Sequence, residues 1–388
     1  MQLMAKVALL ECKDYDEKIL KSVIQDGLAK IGFDLGRFQG LRVGLKPNLL
    51  TAAKPEKAVT THPLFFKAVS EIVIENGGFP VLTECHGFGP FKSILNTTGY
   101  ADVIKELGLE VGRMDEIAPL HYPKAKLIKR IEISKAFFDV DMIVNLPKFK
   151  THGFTYISGA VKNLFGTIPG LRKARMHLRF PEAAEFSEWL LDLNGALLKG
   201  FDKPKKMIHV MDAVIGQEGE GPGPSGTPRR LNAVIIGEDP VAVDFVAAGV
   251  AGLDYKKIPT VTLGFKRDFA VSSPEEISVV GRSIRDLRVK DFQPTKSSVS
   301  SHFLRGWLVS PAVKNIFIEK PWPDAEKCTL CYKCMAVCPA QAISKARQKA
   351  NVPVYDYKKC IRCYCCIEFC PEAAISLKKN VLQRIFRV

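Results

Sequence analysis

CTLCYKCMAVCP (Cys328–Pro339) recurs as CIRCYCCIEFCP (Cys360–Pro371), and this pair decides how the C-terminal end of the 388-residue chain folds. Nine of the eleven cysteines lie in the two runs. Each run reads C-x-x-C-x-x-C-x-x-x-C-P, the thiolate spacing that holds [4Fe-4S] clusters in pairs, the fourth cysteine of one run ligating the cluster of the other. One cluster is therefore expected on Cys328, Cys331, Cys334 and Cys370, and the second on Cys360, Cys363, Cys366 and Cys338. The repeat continues into CPAQAIS and CPEAAIS, which implies a pseudo-twofold unit. Cys365 stands outside it and reads as an incidental small residue; a register in which it replaced Cys366 would break the repeat.

Other uses of clustered cysteine fit less well. Zinc ribbons use pairs of C-x-x-C, whereas here a triple and a distal Cys-Pro occur twice. Disulfides need an oxidising compartment, and the opening MQLMAKVALLECKDYDEK carries charges and a cysteine where a secretory signal has an apolar core. No run of about 18 apolar residues occurs, so no transmembrane segment is expected. The chain reads as cytoplasmic. At 47% hydrophobic and 25% charged residues its composition is that of a globular protein. A formal charge of +15 suggests an anionic partner, nucleic acid or an acidic membrane surface among them. Two clusters with their eight thiolates lower that charge to about +11.

Upstream, to about residue 290, short β-branched runs alternate with helical stretches, the pattern of an α/β domain on a mostly parallel sheet. KVALLEC (Lys6–Cys12) is the first strand. A helix over Asp16–Ile31 follows, with Ile19, Leu20, Val23, Ile24 and Leu28 on its buried face. LRVGLKPNLL (Leu41–Leu50) is the second strand, expected to stop before Pro47. Pro63–Asn76 reads as a helix with proline in its first turn and Gly77-Gly78 as its stop. The third strand is FPVLTEC (Phe79–Cys85), then a helical region to Gly108, a β-rich piece at Lys126–Ile133 and the apolar VDMIVNLP (Val140–Pro147), a central strand. A helix over Phe186–Leu198, strands over Lys206–Gly216 and Asn232–Gly237, and a small-residue helix over Asp239–Gly252 complete the domain. QEGEGPGPSGTPRR, between the last two strands, reads as a shaped loop.

These readings divide the chain into an α/β domain over 1–290, a linker or docking segment over 291–323, an α+β two-cluster unit of bacterial ferredoxin type over 324–378 and a basic tail over 379–388. Within the linker, HFLRGWLVSPAVKNIFIEK is apolar enough to be a strut between domains or a surface for a membrane or partner.

Polar residues of the α/β domain gather at strand ends, where open α/β sheets bind ligands. Lys46 and Asn48 follow the second strand, His62 comes shortly after, and Glu84, Cys85 and His86 follow the third. NLPKFKTHGFTYISGAVKNLFG (Asn145–Gly166) is the densest case. In an extended chain Lys148, Lys150 and His152 share a face, with Phe149 and Thr151 on the other. Ser158 is a candidate cap for a helix beginning near Gly159, whose first turns carry Lys162 and Asn163 and whose free N–H groups favour an anion. PGLRKARMH adds Arg172, Lys173, Arg175 and His177. Such a group fits a phosphate, carboxylate or other anionic substrate, and His152 is placed to move a proton. The plainer alternative is a solvated basic surface. Glu218 and Glu220 in the glycine-rich loop are weaker candidates for metal ligand or base, and Asp212 and Asp244 are caps or surface carboxylates if they are not functional.

KPNLL, TTHP, NLPKFKTH, GAVKNLFG, PG followed by His177, EGEGPGPSG and DPVAVD, spread over roughly residues 40 to 250, resemble the domain of unknown function 362 family. Members of that family often carry a C-terminal two-cluster ferredoxin domain, so the resemblance implies the architecture and the cluster ligands but no substrate.

Three functions are compatible with these residues. The first is an iron-sulfur oxidoreductase for anaerobic metabolism, with His152, Lys148 and Lys162 as catalytic groups and Lys46, Asn48, His62, Lys150, Asn163 and His177 binding an anionic substrate or an unidentified second cofactor. The second is an electron-transfer or maturation protein that docks an acidic donor or acceptor protein. The third is a nucleic-acid-binding protein with structural clusters, for which no recognised module speaks.

Overall fold

In the larger unit, residues two apart along a strand point to the same face of the sheet, and each face acquires its own core. The computed structural model describes residues 4–87, 89–170, 172–267, 271–297, 315, 318–348 and 350–378. In chain order the first half of this unit comprises β1 (Ala5–Glu11), α1 (Glu17–Lys30), β2 (Arg42–Pro47), α2 (Pro63–Glu75), β3 (Phe79–Leu82), α3 (Phe91–Thr98), α4 (Tyr100–Leu107), β4 (Glu110–Val111), β5 (Ile117–His121), β6 (Arg130–Ser134) and β7 (Met142–Leu146). There follow β8 (Lys148–His152), β9 (Tyr156–Ser158), α5 (Ala160–Asn163), α6 (Arg172–Arg179), α7 (Ala183–Lys199), β10 (Lys206–Gly219), β11 (Gly226–Gly237), α8 (Pro240–Val250), α9 (Pro259–Lys266), β12 (Ile277–Gly281) and α10 (Ile284–Leu287).

The main sheet has the order β12-β1-β11-β10-β7-β2-β3-β4, with β8 pairing β10 and β9 added beside β8. Along that path only β11 runs against its neighbours, β1 and β10. The sheet is therefore mixed and mostly parallel. Val7 and Leu9 of β1 enter the core shared with α7, α8 and α9, while Ala8 and Leu10 enter the core shared with α1, α2 and α4. Trp189 and Phe186 on α7 are fully buried, each stabilising the fold by about 1.5–3 kcal/mol through the area it removes from water.

Local chemistry sets the helix limits. Asp16 caps α1 by accepting from the Ile19 N–H at 2.9 Å. Proline opens α2, and left-handed Gly77, at φ 73°, stops it. Asp239 caps α8 through the N–H groups of Val241 and Ala242.

Several sequence expectations change. Ile19 is 51% exposed, so the buried stripe of α1 is Leu20, Ile24, Gly27 and Leu28. Pro47 ends β2 instead of lying beyond it, opposite Leu146; its fixed φ suits extended backbone and its carbonyl stays free to accept from Lys46 Nζ at 3.1 Å. The third strand is shorter than expected, ending at Leu82, and β6 pairs with β5 outside the main sheet. Most of the glycine-rich loop is strand, because Gln217, Glu218 and Gly219 pair with Pro228, Thr227 and Gly226, leaving only 220–225 to turn.

The smaller unit comprises β13 (Lys320–Pro323), α11 (Lys333–Ala336), β14 (Ile343–Ser344), β15 (Val354–Tyr355), α12 (Cys365–Glu368) and β16 (Ile375–Lys378). Residues 320–323, expected in the linker, pair as β13 with β16, so this unit begins before 324. Its internal repeat is visible in the backbone. Leu330, Tyr332 and Gln341 take φ of 55°, 55° and 49°, and the corresponding Arg362, Tyr364 and Ala373 take 63°, 60° and 49°. The same left-handed turns thus occur at equivalent places in both halves. The apolar docking segment within 298–317, apart from Asn315, and the tail 379–388 lie outside the described residues.

The two units meet at positions without a side chain. A Cβ on Gly87 would strike the Phe369 ring, one on Gly153 would press on Tyr364, and one on Gly223 would overlap the Glu368 carbonyl. Glycine at these sites lets the cysteine-rich unit close over the ends of the parallel strands.

Candidate functional site

Beyond the carboxyl ends of β2 and β3 lies a cavity of about 350 Å³. Asn48 and Leu50 enter it after β2, Glu84 and His86 after β3, Lys150 from β8, Lys162 and Asn163 from α5, and Lys173 and His177 from α6. Ser158, Phe165 and Pro222 add to this side, and the cysteine-rich unit supplies the facing wall: Ala336 and Val337 at α11, and Cys365, Glu368 and Phe369 at α12.

A chain of amides holds the floor. Asn48 Nδ2 donates to Asn163 Oδ1 at 2.8 Å, and Asn163 Nδ2 donates to Asn145 Oδ1 at 2.8 Å. Lys150 Nζ donates to Asn48 Oδ1 at 2.9 Å and to the Val59 carbonyl at 2.6 Å. No carboxylate pairs with Lys150 among the described residues, and burial pushes its ammonium down to about 7, Glu368 opposing and Lys162 adding to that shift. Lys162 is 9% exposed, lies over the Phe165 ring at 5.7 Å and has no hydrogen bond or ion pair among the described residues. Burial also lowers its pKa. Lys173 Nζ donates to the carbonyls of Cys85 and His86.

Lys46 is fully buried in an ion pair with Glu84, burial pulling the lysine down and the carboxylate up. Gly166 lies over this pair, where a Cβ would come within 2.6 Å of both charged groups. Lys46 is therefore spent on Glu84 instead of facing a ligand.

Lys148 departs from its expected role. Its Nζ bonds Asp212 Oδ2 at 2.8 Å and Tyr15 Oη at 2.7 Å, and Tyr15 donates to Asp212 Oδ1 at 2.8 Å. Asp212 also accepts from the His62 N–H at 3.0 Å, and the His62 ring stacks on Tyr15 at 3.7 Å. This closed network joins β8 to β10 and to the start of α2, and neither Lys148 nor His62 lines the cavity. Burial takes His62 down to about 4, and its Nδ1 caps α2 by accepting from Leu64 N–H at 3.3 Å.

His152, expected as a catalytic group, is 2% exposed and does not line the cavity. Its Nδ1 accepts from Phe154 N–H at 3.0 Å, which leaves the proton of the neutral ring on Nε2. Among the described residues that Nε2 has no partner, nor has Nδ1 of His177. Burial lowers both rings, His177 to about 3, and His177 stacks on Phe186 at 4.4 Å.

Three other candidates, Asp244, Glu218 and Glu220, have structural roles. The cap of α5 is Gly159, not Ser158, and its first N–H groups, Ala160 and Val161, are taken by the Asp244 carboxylate, the former at 2.5 Å. The anion at this helix start is thus Asp244 itself, pushed up to about 7 by burial. Glu218 and Glu220 accept from the N–H groups of Gln293 and Lys296 at 3.0 and 2.9 Å, pinning the segment that follows the sheet. Arg172 and Arg175 lie outside the cavity with Arg130 and Arg179, around a depression of about 270 Å³ floored by Ile128, Met176 and Trp189.

In the smaller unit, Cys328, Cys331, Cys334 and Cys370 together line one small cavity. Cys360, Cys363 and Cys338 lie within electrostatic reach of Cys366, as does Cys334 from the adjoining set. Ala342 and Ala374, at equivalent positions of the repeat, donate N–H bonds of 3.3 Å to the sulfurs of Cys338 and Cys370. Among the described residues no three His, Cys, Asp or Glu side chains converge as a site for a single metal ion. Thiols spread around a cavity and met by backbone N–H groups fit an iron-sulfur core, which occupies more room than one ion and is tuned by such bonds.

A family model described as domain of unknown function 362 matches residues 43–249. The chain belongs to the domain of unknown function 362 family. A second model, for a 4Fe-4S dicluster domain, matches residues 320–371, so this family member carries an iron-sulfur region appended to its α/β domain. The chain is 30% identical over 285 residues to thylakoid-associated protein sll1697 of Synechocystis, covering 70% of this chain and 85% of that relative. Among solved structures it is similar to a Thermotoga maritima protein (TM-score 0.38, 16% identity, 66% of this chain and 60% of the other). It is also similar to the lactate racemase apoprotein of Thermoanaerobacterium thermosaccharolyticum (TM-score 0.39, 16% identity, 63% and 57%). The chain thus spans less than two thirds of either solved chain. Among the described residues no helix is long and apolar enough to cross a membrane.

Sequence reasoning missed Tyr15, Glu368 and Phe369. Glu368 and Phe369 fall at the unconstrained positions of the cysteine motif, and only the surplus thiol Cys365 marked that helix as unusual.

Proposed function

We propose that the protein is an iron-sulfur oxidoreductase that exchanges electrons with a small anionic substrate or second cofactor held in the cavity. Cys328, Cys331, Cys334 and Cys370 hold one [4Fe-4S] cluster, and Cys338, Cys360, Cys363 and Cys366 hold the other. The clusters supply one-electron transfer. The observation that carries this reading is the shared wall: Lys150 and Lys162 face Cys365 and Glu368, and Cys365 adjoins the ligand Cys366.

The chain's own residues divide the remaining work. Lys162, buried without a partner, binds the anion, and Lys150 joins it when protonated. Asn48, itself held by Asn163, orients Lys150. His177 lines the cavity, and the nearby His152 keeps a buried Nε2–H without a partner among the described residues, a donor for an acceptor. The apolar wall of Leu50, Phe165, Val337 and Phe369 excludes water. A protein donor or acceptor is expected near Cys331, the exposed cysteine of the first set.

The test is anaerobic stopped-flow reoxidation of the dithionite-reduced, cluster-loaded chain by a panel of small carboxylates, phosphate esters and neutral acceptors of matched potential. An anionic acceptor reoxidises the wild type with saturation, and Lys162→Met slows this at least tenfold with iron and sulfide unchanged. Equal rates in the two proteins for every acceptor would defeat the reading.

A further inference from the structure

Most charged side chains that line the shared cavity are already occupied. Glu84 pairs with Lys46, Lys150 donates to Asn48 and to the Val59 carbonyl, and Lys173 donates to the carbonyls of Cys85 and His86. Lys162 and Glu368 are left. They enter from α5 and α12, 9% and 7% exposed, and among the described residues neither side chain makes a hydrogen bond or an ion pair. The Glu368 backbone is fixed where it stands: its N–H donates to the Tyr364 carbonyl at 3.1 Å, and its carbonyl packs against Gly223.

The internal repeat makes the carboxylate stand out. Glu368 and Phe369 of the second run correspond to Ala336 and Val337 of the first, and all four line the cavity. Each half thus offers the same two positions to the same space, and only the second half places a charge there. Val337 and Phe369, with Leu50 and Phe165, give that space apolar surface as well.

A carboxylate and an ammonium withdrawn from water are costly while unpaired, and the cost falls when each meets an opposite charge. Lys162 and Glu368 share one cavity without pairing with each other. A ligand that answers both carries the reverse pattern, an anionic group for Lys162 and a cationic group for Glu368. The same carboxylate repels a plain anion or a dianion, so it discriminates as well as binds.

We propose that the ligand of the cavity is a small zwitterion, an ammonium-bearing carboxylate with an apolar body, its carboxylate on Lys162 and its ammonium on Glu368. This rests on the function proposed above in taking the cavity as the substrate site, and it names the second charged group of that substrate. Lys162 holds the end common to all anions; Glu368 determines specificity.

The experiment is calorimetric titration of the full, anaerobically cluster-loaded chain with matched pairs of ligands: leucine against isocaproate, phenylalanine against hydrocinnamate, and γ-aminobutyrate against butyrate. In at least one pair the amino member binds the wild type about tenfold or more tightly than its deamino partner, the gain expected of a hydrogen bond between charged groups. Glu368→Gln, with iron and sulfide unchanged, brings the two members of that pair to similar affinity, and Lys162→Met weakens both. Equal or tighter binding of the deamino member in every pair would overturn the proposal, as would a preference that persists in Glu368→Gln or the failure of every member to bind. The wild-type comparison decides even where Glu368→Gln does not retain its clusters. A zwitterion that binds but does not reoxidise the reduced chain defeats the oxidoreductase and leaves this assignment standing, whereas reoxidation by plain carboxylates with no preference for the amine defeats this assignment alone.

Discussion

Lys148 and Lys150 are two residues apart on one strand and meet different fates. Their common face followed from strand periodicity alone, and β8 is extended as that reading requires. What the sequence did not disclose was the distant partner: Asp212 and Tyr15 close a network around Lys148, whereas Lys150 finds only neutral oxygens. Pairings between residues 64 to 133 positions apart leave no local pattern. The consequence for Lys150 is a pH dependence. Its folded value near 7 lies below the ordinary 10.5, so below about 7 it is charged and above about 7 it is neutral. An anion that needs the charged form binds most tightly below that pH, and its affinity falls by up to about tenfold per pH unit above it. Calorimetric titrations between pH 6 and 9 with the best anion of the panel check this: Lys150→Met should flatten the profile, and an unchanged slope in that variant would remove Lys150 from the site.

At the level of elements, helices with a strong apolar period were legible, as α1 and α2 show, and so was the central β7. The four-residue α5 was expected near its observed position but with the wrong cap, because a carboxylate arriving from α8 replaces the serine. Asp244 thereby fixes the turn that carries Lys162 and Asn163. Asp244→Ala leaves two buried N–H groups unsatisfied and should cost on the order of 3 kcal/mol in denaturant unfolding. Asp244→Asn keeps one acceptor and should cost less. Equal stability of the alanine variant and wild type would show that α5 does not depend on this cap.

On the scale of the whole molecule, the cysteine repeat was legible because each half encodes its turns locally, and the equivalent left-handed residues bear that out in the backbone. The closure of one unit on the other was not legible. It rests on Gly87, Gly153 and Gly223, which admit Phe369, Tyr364 and the Glu368 backbone, and single glycines in loops carry no periodic signal. That closure makes the cavity a shared one, walled by both units. The most direct measurement is therefore an anaerobic crystal structure of the cluster-loaded chain with the tightest-binding anion of the reoxidation panel. The account predicts iron-sulfur density at both cysteine sets and the anion between Lys150 and Lys162, facing Cys365. An anion seated instead on the arginines around Trp189, with the cavity filled by protein side chains, would contradict it.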